Sequence, residues 1–154
     1  MKKIILVTFG FLITLVVAGQ TYKGASSSRQ VEDKLNETYC TGLFKSTDGV
    51  ILDVASSNSV TGYFNILDWL PGRVAGLQIY KSRVGTSIPV IRGGVPAIYL
   101  DEMPVSPSFL SSINVNDIAI VKVIKTPFFG GFNGAYGAIA IYTFGDEEED
   151  ELDN

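Results

Sequence analysis

The sequence contains no histidine and only one cysteine, Cys40, among its 154 residues. The absence of histidine excludes Ser-His-Asp triads, histidine metal clusters and an imidazole general base. A single cysteine cannot form an intramolecular disulfide or a multi-cysteine zinc site. Because no histidine is present to activate it, we expect Cys40 to be a buried or free thiol rather than a nucleophile.

Excess positive charge is also missing from the body of the chain. Residues 20–145 carry ten basic and nine acidic side chains, so this part is nearly neutral. No basic stripe is present that could neutralise a run of phosphates, which argues against nucleic-acid binding. Seven of the last nine residues are acidic. We expect residues 146–154 to form a disordered acidic tail.

One long apolar run is present, over residues 4–18, and it follows Lys2 and Lys3. A basic start, an apolar core and small residues at its end are typical of a secretory signal peptide. A transmembrane anchor is the alternative, but the 15 residues of this run fall short of the roughly 20 that a spanning helix needs. We therefore expect a signal peptide over residues 1–19 and a mature protein that begins near Gln20.

The rest of the chain predicts a polar arm and one folded domain. Residues 20–48 are polar and contain a serine triplet, which favours a flexible N-terminal arm. Short β-branched runs between turn residues predict four to five strands within a domain over residues 49–145, with a hairpin-like unit at 76–80 and 88–91 and a closing strand at 138–143.

The clearest predicted strand covers residues 118–125. Its alternation places Ile118, Ile120, Lys122 and Ile124 on one face and Ala119, Val121 and Val123 on the other, so it is largely apolar on both, as in the middle of a sheet.

Helical spacing follows Asn65, a possible N-cap, and Pro71 should interrupt this helix. A second short helix over residues 108–113 completes an α+β domain with a small mixed sheet and two or three short helices.

Four motifs lie in order between residues 65 and 144. They are LPGRVAGLQI (70–79), VIRGG with PAIYLDEMPV (90–94 and 96–105), LSSINVNDI with VKVIK (110–118 and 121–125), and YGAIAIYT (136–143). In order and spacing they resemble the plug domain of TonB-dependent outer-membrane receptors, particularly the SusC-like receptors. The resemblance covers about 80 residues. It implies a small mixed sheet with two or three helices.

The sequence departs from this family in ways that shape the expected function. The receptors continue from the plug into a large barrel, whereas only eleven residues follow Thr143 here. The family's activator-binding box should lie near the mature N-terminus, but residues 20–48 contain no convincing candidate for it. The resemblance therefore implies a free-standing periplasmic plug that docks in or under an outer-membrane β-barrel made by another chain, with the type IX protein secretion pore as one candidate host. A periplasmic binding or signalling module and a truncated receptor are the alternatives.

Two loops are candidates for contact with that barrel. The turn after residue 91 contains two glycines that accept a positive φ without steric cost, so it has a structural explanation as well as a possible contact role. The loop after Lys125 carries three phenylalanines where the family usually has small residues. These rings either fold back onto the core or form an apolar anchor for a partner. The predicted partner-binding residues are Arg92, Gly93, Gly94, Phe128, Phe129 and Phe132.

Other polar side chains are expected to be structural. Arg73 follows the helix that begins after Asn65, where a guanidinium can hold a carbonyl or a carboxylate. Asp101 and Glu102 are the only adjacent carboxylates of the folded body. On a strand they would point to opposite faces and could not form an acid-base pair. We therefore expect no catalytic residue, cofactor or metal site, and a protein that is not an enzyme.

Overall fold

The computed structural model describes residues 23–131 and 133–145. The expected signal peptide, Phe132 and the acidic tail lie outside these residues. The chain divides into two compact units, residues 1–31 and 32–154. The first unit is described only from Lys23, at the start of a helix. Within the described ranges, none of the helices combines the length and the hydropathy needed to cross a bilayer.

The described residues have an α+β fold, as predicted. They form three α-helices and seven strands, which are numbered in chain order. The helices are α1 (Lys23–Tyr39), α2 (Gly42–Ser46) and α3 (Ile66–Trp69). The strands are β1 (Val50–Asp53), β2 (Leu77–Lys81), β3 (Ser87–Ile91), β4 (Ala97–Leu100), β5 (Met103–Pro104), β6 (Ile118–Ile124) and β7 (Ala138–Thr143). Short 3-10 turns lie at Asn58–Val60, Phe109–Ser112, Val115–Asp117 and Gly134–Tyr136.

Five of the strands form a mixed sheet in the order β1-β6-β7-β4-β5. The pairing of β4 with β7 is parallel, and the other pairings in this sheet are antiparallel. Strands β2 and β3 pair with each other as a separate antiparallel hairpin, which confirms the predicted hairpin unit. All seven residues of β6 are buried. The prediction that this segment lies in the middle of the sheet is confirmed.

The alternation predicted for β6 holds only over part of the strand. A register shift between Ile118 and Ile120 interrupts the pairing with β7. Ile118 therefore packs on the same side as Val121 and Val123, whereas Ala119 packs on the side of Ile120. The expectation that placed Ile118 and Ile120 on one face was wrong, because a bulge turns the strand by one residue.

One face of the sheet packs against α3 and the residues that follow it. The Asn65 Oδ1 accepts a hydrogen bond from the Leu67 N–H at 2.9 Å, so the predicted N-cap is confirmed. The helix ends at Trp69, shortly before Pro71. Arg73 Nη1 donates to the Trp69 carbonyl at 2.6 Å, and its guanidinium lies 4.2 Å from the centre of the indole ring. The structural role expected of Arg73 is confirmed.

Within the second unit, the other face of the sheet is covered by residues 32–39 of α1 and by α2. The expected flexible arm over residues 20–48 is thus corrected for this part of it. Phe44 and Cys40 are buried against this face, and Leu35 and Tyr39 pack at its margin. The segment has few apolar residues, but these four lie on the side that meets the sheet. Lys122 of β6 donates hydrogen bonds to Asn36 of α1 and to Phe44 of α2. These contacts come from a residue far along the chain, so the sequence of residues 20–48 alone did not predict them.

Candidate functional site: the Arg92 turn and the aromatic loop

The turn after β3 is a tight two-residue loop. Arg92 and Gly93 have φ values of 53° and 85°, as type I′ turns require. The Ile91 N–H donates to the Gly94 carbonyl at 2.9 Å, and the Gly94 N–H donates to the Ile91 carbonyl at 3.1 Å. The exposed Arg92 donates from Nη1 to the carbonyl of Lys125 at 3.3 Å. The side chain of Arg92 thus joins this turn to the end of β6.

The two glycines of this turn are needed for different reasons. Gly93 has a positive φ and open space around its Cα, which confirms the conformational explanation for that residue. Gly94 has no positive φ, but a Cβ there would overlap the ring of Tyr136. Gly94 is therefore required by the close approach of an aromatic ring. The sequence did not single out Tyr136, although it lies in the last family-like motif.

The aromatic loop does not act as one exposed anchor. Phe128 is only 2% exposed. Its ring centre lies 4.7 Å from that of Phe44 and 5.6 Å from that of Tyr99. The Phe128 N–H donates to the Gly134 carbonyl at 2.8 Å, which closes the loop. The proposal that Phe128 contacts a partner is corrected, because the ring belongs to the core under α2.

Phe129, the next residue, points away from this core. Its side chain is 89% exposed, so no internal packing accounts for it. Phe132, the third predicted ring, lies outside the described residues. The structure therefore divides the predicted anchor into a buried ring and an exposed one. Of the two described rings, only Phe129 is available to a partner.

An open groove of about 690 Å³ lies beside Tyr136. It lies where β5 ends, next to the last hydrogen bond to β4, which runs from the Val105 N–H to the Ile98 carbonyl at 2.9 Å. Its lining is mostly apolar and includes Val95, Pro96, Pro104, Val105, Pro107 and Tyr136. The sequence analysis missed this groove. In the sequence, only the prolines around β5 could have indicated a groove at this position.

The polar groups buried on the α1 and α2 side of the sheet do not form a reactive site. Lys122 is 2% exposed, and its Nζ donates to Asn36 Oδ1 at 2.6 Å and to the Phe44 carbonyl at 2.5 Å. Desolvation lowers the pKa of Lys122. Burial raises the pKa of the Cys40 thiol, so the reactive thiolate is disfavoured. Burial, with a hydrogen bond to Cys40, likewise raises the pKa of Tyr142.

Asp101 and Glu102 lie in a turn and not on a strand, which corrects the geometry expected for them. Both have positive φ values, 46° and 65°, between the paired residues that end β4 and begin β5. The Asp101 carboxylate accepts hydrogen bonds from Thr143, and the Glu102 carboxylate accepts them from Thr41. The two carboxylates are thus engaged separately. No cluster of three or more metal-ligating side chains occurs within residues 23–131 and 133–145.

Several solved structures share this fold. The RagAB peptide importer in its open-open state superposes with a TM-score of 0.52 and 24% identity, over 63% of this chain and 12% of that chain. The siderophore receptor PirA from Acinetobacter baumannii has a TM-score of 0.52 and 17% identity, over 62% of this chain and 17% of that one. The ferric enterobactin receptor PfeA from Pseudomonas aeruginosa has a TM-score of 0.52 and 15% identity, over 73% and 18% respectively.

These comparisons show a plug-like α+β fold. The similar proteins are TonB-dependent receptors or SusC-like transporters. The chain spans less than a fifth of the length of each of them. No protein-family model matches the sequence, and no relative of curated function matches it.

Proposed function

We propose that this domain lies in the periplasm and closes an outer-membrane β-barrel made by another chain. The observation that carries the proposal is the fold, which this domain shares with a region of receptors and transporters such as RagAB and PfeA. Closure is steric: the domain docks in or under the barrel and blocks its periplasmic mouth. No bond is made or broken in this process.

The docking surface includes Phe129, Arg92, Gly93 and Tyr136. Phe129 is almost fully exposed, and Tyr136 is partly exposed where its ring covers Gly94. Exposed aromatic and arginine side chains are the types enriched in the centres of protein interfaces. The apolar groove continues from Tyr136 along the end of β5. Phe128 is not part of this surface, because its ring supports the core.

A barrel that conducts protein or peptide is the host favoured here. A wide pore would leak if it were left open, so it needs a domain of this size to close it. The type IX protein secretion pore is one candidate of this kind. The similarity to RagAB, a peptide importer, supports a barrel whose cargo is a polypeptide.

A periplasmic binding or signalling module is the second candidate function. The observation that favours it is the groove, whose volume of about 690 Å³ falls in the range of small-ligand sites. In this case a soluble partner or a peptide would occupy the groove, and no barrel would be needed.

The test is purification of the tagged full chain from detergent-solubilised outer membranes, followed by identification of the proteins retained with it. We expect a large β-barrel protein to co-purify. Replacement of Phe129→Ser should reduce its recovery, because an interface centre loses its aromatic side chain. Val84→Ser is the matched control, since Val84 is 87% exposed but lies at the tip of the β2-β3 hairpin.

The outcomes separate the two candidate functions. Recovery of the barrel that falls for Phe129→Ser and not for Val84→Ser supports the plug. Deletion of the gene should then admit large antibiotics that an intact outer membrane excludes. Unchanged permeability, together with a chain that purifies without any barrel, contradicts the plug and favours the binding module.

A further inference from the structure

Residues 32–47 form a helical strap that lies across one face of the sheet. This strap comprises the second part of α1, all of α2 and the joint between them. One of its polar attachments is at the joint, where the Glu102 carboxylate accepts hydrogen bonds from the Thr41 N–H at 2.7 Å and from the Thr41 Oγ1 at 2.5 Å. The Tyr142 hydroxyl also donates to Glu102 at 3.2 Å. Glu102 therefore ties the strap to the sheet.

A second attachment lies further along the strap. Lys122 Nζ donates to Asn36 Oδ1 and to the Phe44 carbonyl, and the Asn36 Nδ2 donates to the Lys45 carbonyl at 3.0 Å. The strap is thus joined to the sheet through Glu102 at the end of β4 and through Lys122 on β6. Both partners are more than 60 residues away along the chain.

The turn that carries Glu102 is held in a conformation that is unfavourable for its residues. Asp101 and Glu102 both have positive φ values, which cost steric energy in any residue except glycine. Asparagine, aspartate and glycine are the usual residues at the first position of such a turn and glycine at the second, so Glu102 is the unusual residue here. Carboxylates here are explained by their bonds: Asp101 accepts from the Thr143 N–H and Oγ1 at 2.9 Å each, and Glu102 accepts from Thr41. The steric cost of the positive φ at Glu102 is therefore offset by its hydrogen bonds to Thr41, which hold the strap.

The sheet face beneath the strap offers smaller apolar side chains than the opposite face. Beside larger residues such as Ile120 and Ile124, it includes four alanines, Ala97, Ala119, Ala138 and Ala140, whereas the opposite cluster has none among the described residues. The opposite face packs larger side chains, among them Trp69, Leu70 and Leu110. Because hydrophobic stabilisation scales with buried apolar area, the strap depends more on its polar attachments than the opposite core does.

We infer that the strap opens as a unit while the sheet and its opposite core stay folded, and that Glu102 is the latch that holds it closed. This is a local opening of the kind that leaves the rest of a domain native. The inference does not depend on the proposed function, because it concerns contacts inside the domain. Either a plug or a binding module could use a segment that moves in this way.

The chain carries two natural probes for this motion. It has one cysteine and one tryptophan, and both are buried, with 2% exposure for Cys40 and 3% for Trp69. Cys40 lies at the joint of the strap, whereas Trp69 lies in the core on the opposite face. Alkylation of Cys40 by iodoacetamide therefore reports opening of the strap. Fluorescence of Trp69 reports unfolding of the remainder.

The decisive variant is Glu102→Gly in the full chain. Glycine suits the positive φ of the turn, so the turn itself should be no weaker, but the bonds to Thr41 are lost. We expect Cys40 alkylation to become at least roughly tenfold faster, since the loss of even one of the two charge-assisted hydrogen bonds from Thr41 gives about that factor. The Trp69 emission should stay native. Asp101→Gly is the matched control, because it changes the same turn but leaves the bonds between Glu102 and Thr41, so the alkylation rate should stay near that of the wild type.

Amide hydrogen exchange over residues 36–47 provides a readout that does not depend on the acidity of the thiol. It should accelerate in Glu102→Gly and remain unchanged in β6. A urea titration of the wild type supplies a test that needs no variant. Cys40 should become reactive to iodoacetamide at a lower urea concentration than the one at which the Trp69 emission changes. Equal alkylation rates in Glu102→Gly and the wild type would overturn the latch. Coincident urea transitions for Cys40 and Trp69 would overturn the strap as a separate unit.

Discussion

Replacing each of the two adjacent phenylalanines with alanine tests the division between buried and exposed rings in the aromatic loop. Phe128 is 2% exposed and contacts the rings of Phe44 and Tyr99, so Phe128→Ala removes a core side chain. Such truncations cost about 3–5 kcal/mol. Because Phe128 lies in a loop that can partly close the space, we expect about 3 kcal/mol. Phe129→Ala should change the free energy of unfolding by less than about 0.5 kcal/mol, since exposed side chains contribute little.

The measurement is urea unfolding followed by far-UV circular dichroism for the wild type and both variants. The two variants alter neighbouring residues of the same type, so each is the control for the other. Phe128→Ala should lower the midpoint strongly with little change in the slope. A loss of less than about 1 kcal/mol for Phe128→Ala, or an equal loss for both variants, would refute the assignment of Phe128 to the core.

Three further predictions concern single contacts. Gly94→Ala should destabilise the domain by about 1–3 kcal/mol in thermal or urea unfolding, because a Cβ overlaps the ring of Tyr136, and Tyr136→Ala should reduce that loss. Burial lowers the pKa of Lys122 below its usual value of 10.5. As the pH approaches that value, the folded state therefore binds fewer protons than the unfolded state. The free energy of unfolding of the wild type, measured relative to Lys122→Met, should rise with pH in this range. Arg73→Ala should cost about 1–2 kcal/mol in urea unfolding, since it removes a hydrogen bond and a cation-π contact at Trp69.

The centre of the fold could be predicted from local patterns. The apolar run of β6, the closing strand β7 and the hairpin of β2 and β3 each occupy the segments that alternation and turn residues indicate. Asn65 and Pro71 likewise marked the two ends of α3. These features were predictable because the residues that determine them lie within a few positions of one another.

The remaining features depend on residues far apart in the chain. Helix α1 contains a serine triplet and few apolar residues, and the contact of Asn36 with Lys122 joins residues 86 positions apart. The pair Asp101 and Glu102 is not a usual turn sequence, and it takes that conformation with its carboxylates bound to Thr143 and Thr41. Composition alone could not assign Phe128 to the core and Phe129 to the surface.

Backbone strain marks the same two regions that carry the proposals. The described non-glycine residues with positive φ are Arg92, Asp101, Glu102 and Asn133. Asn133 lines the groove with Tyr136, and Arg92 lies in the turn whose Gly94 meets the Tyr136 ring, whereas Asp101 and Glu102 form the turn that carries the Glu102 latch. Such residues concentrate where function requires a particular geometry.

These two regions lie at opposite ends of β6. Arg92 contacts Lys125, which follows the last residue of the strand, and Asp101 contacts Thr143, which pairs with Ile118 at its start. Seven residues of strand separate them by about 20 Å at roughly 3.3 Å per residue. The aromatic loop, however, touches the strap directly, because the ring of Phe128 packs against Phe44 of the strap. Phe129→Ser should weaken docking and leave Cys40 protected, since Phe129 is 89% exposed. Glu102→Gly should change docking as well, because an open strap uncovers Phe128. Loss of Cys40 protection in Phe129→Ser would contradict the separation of the exposed ring from the strap.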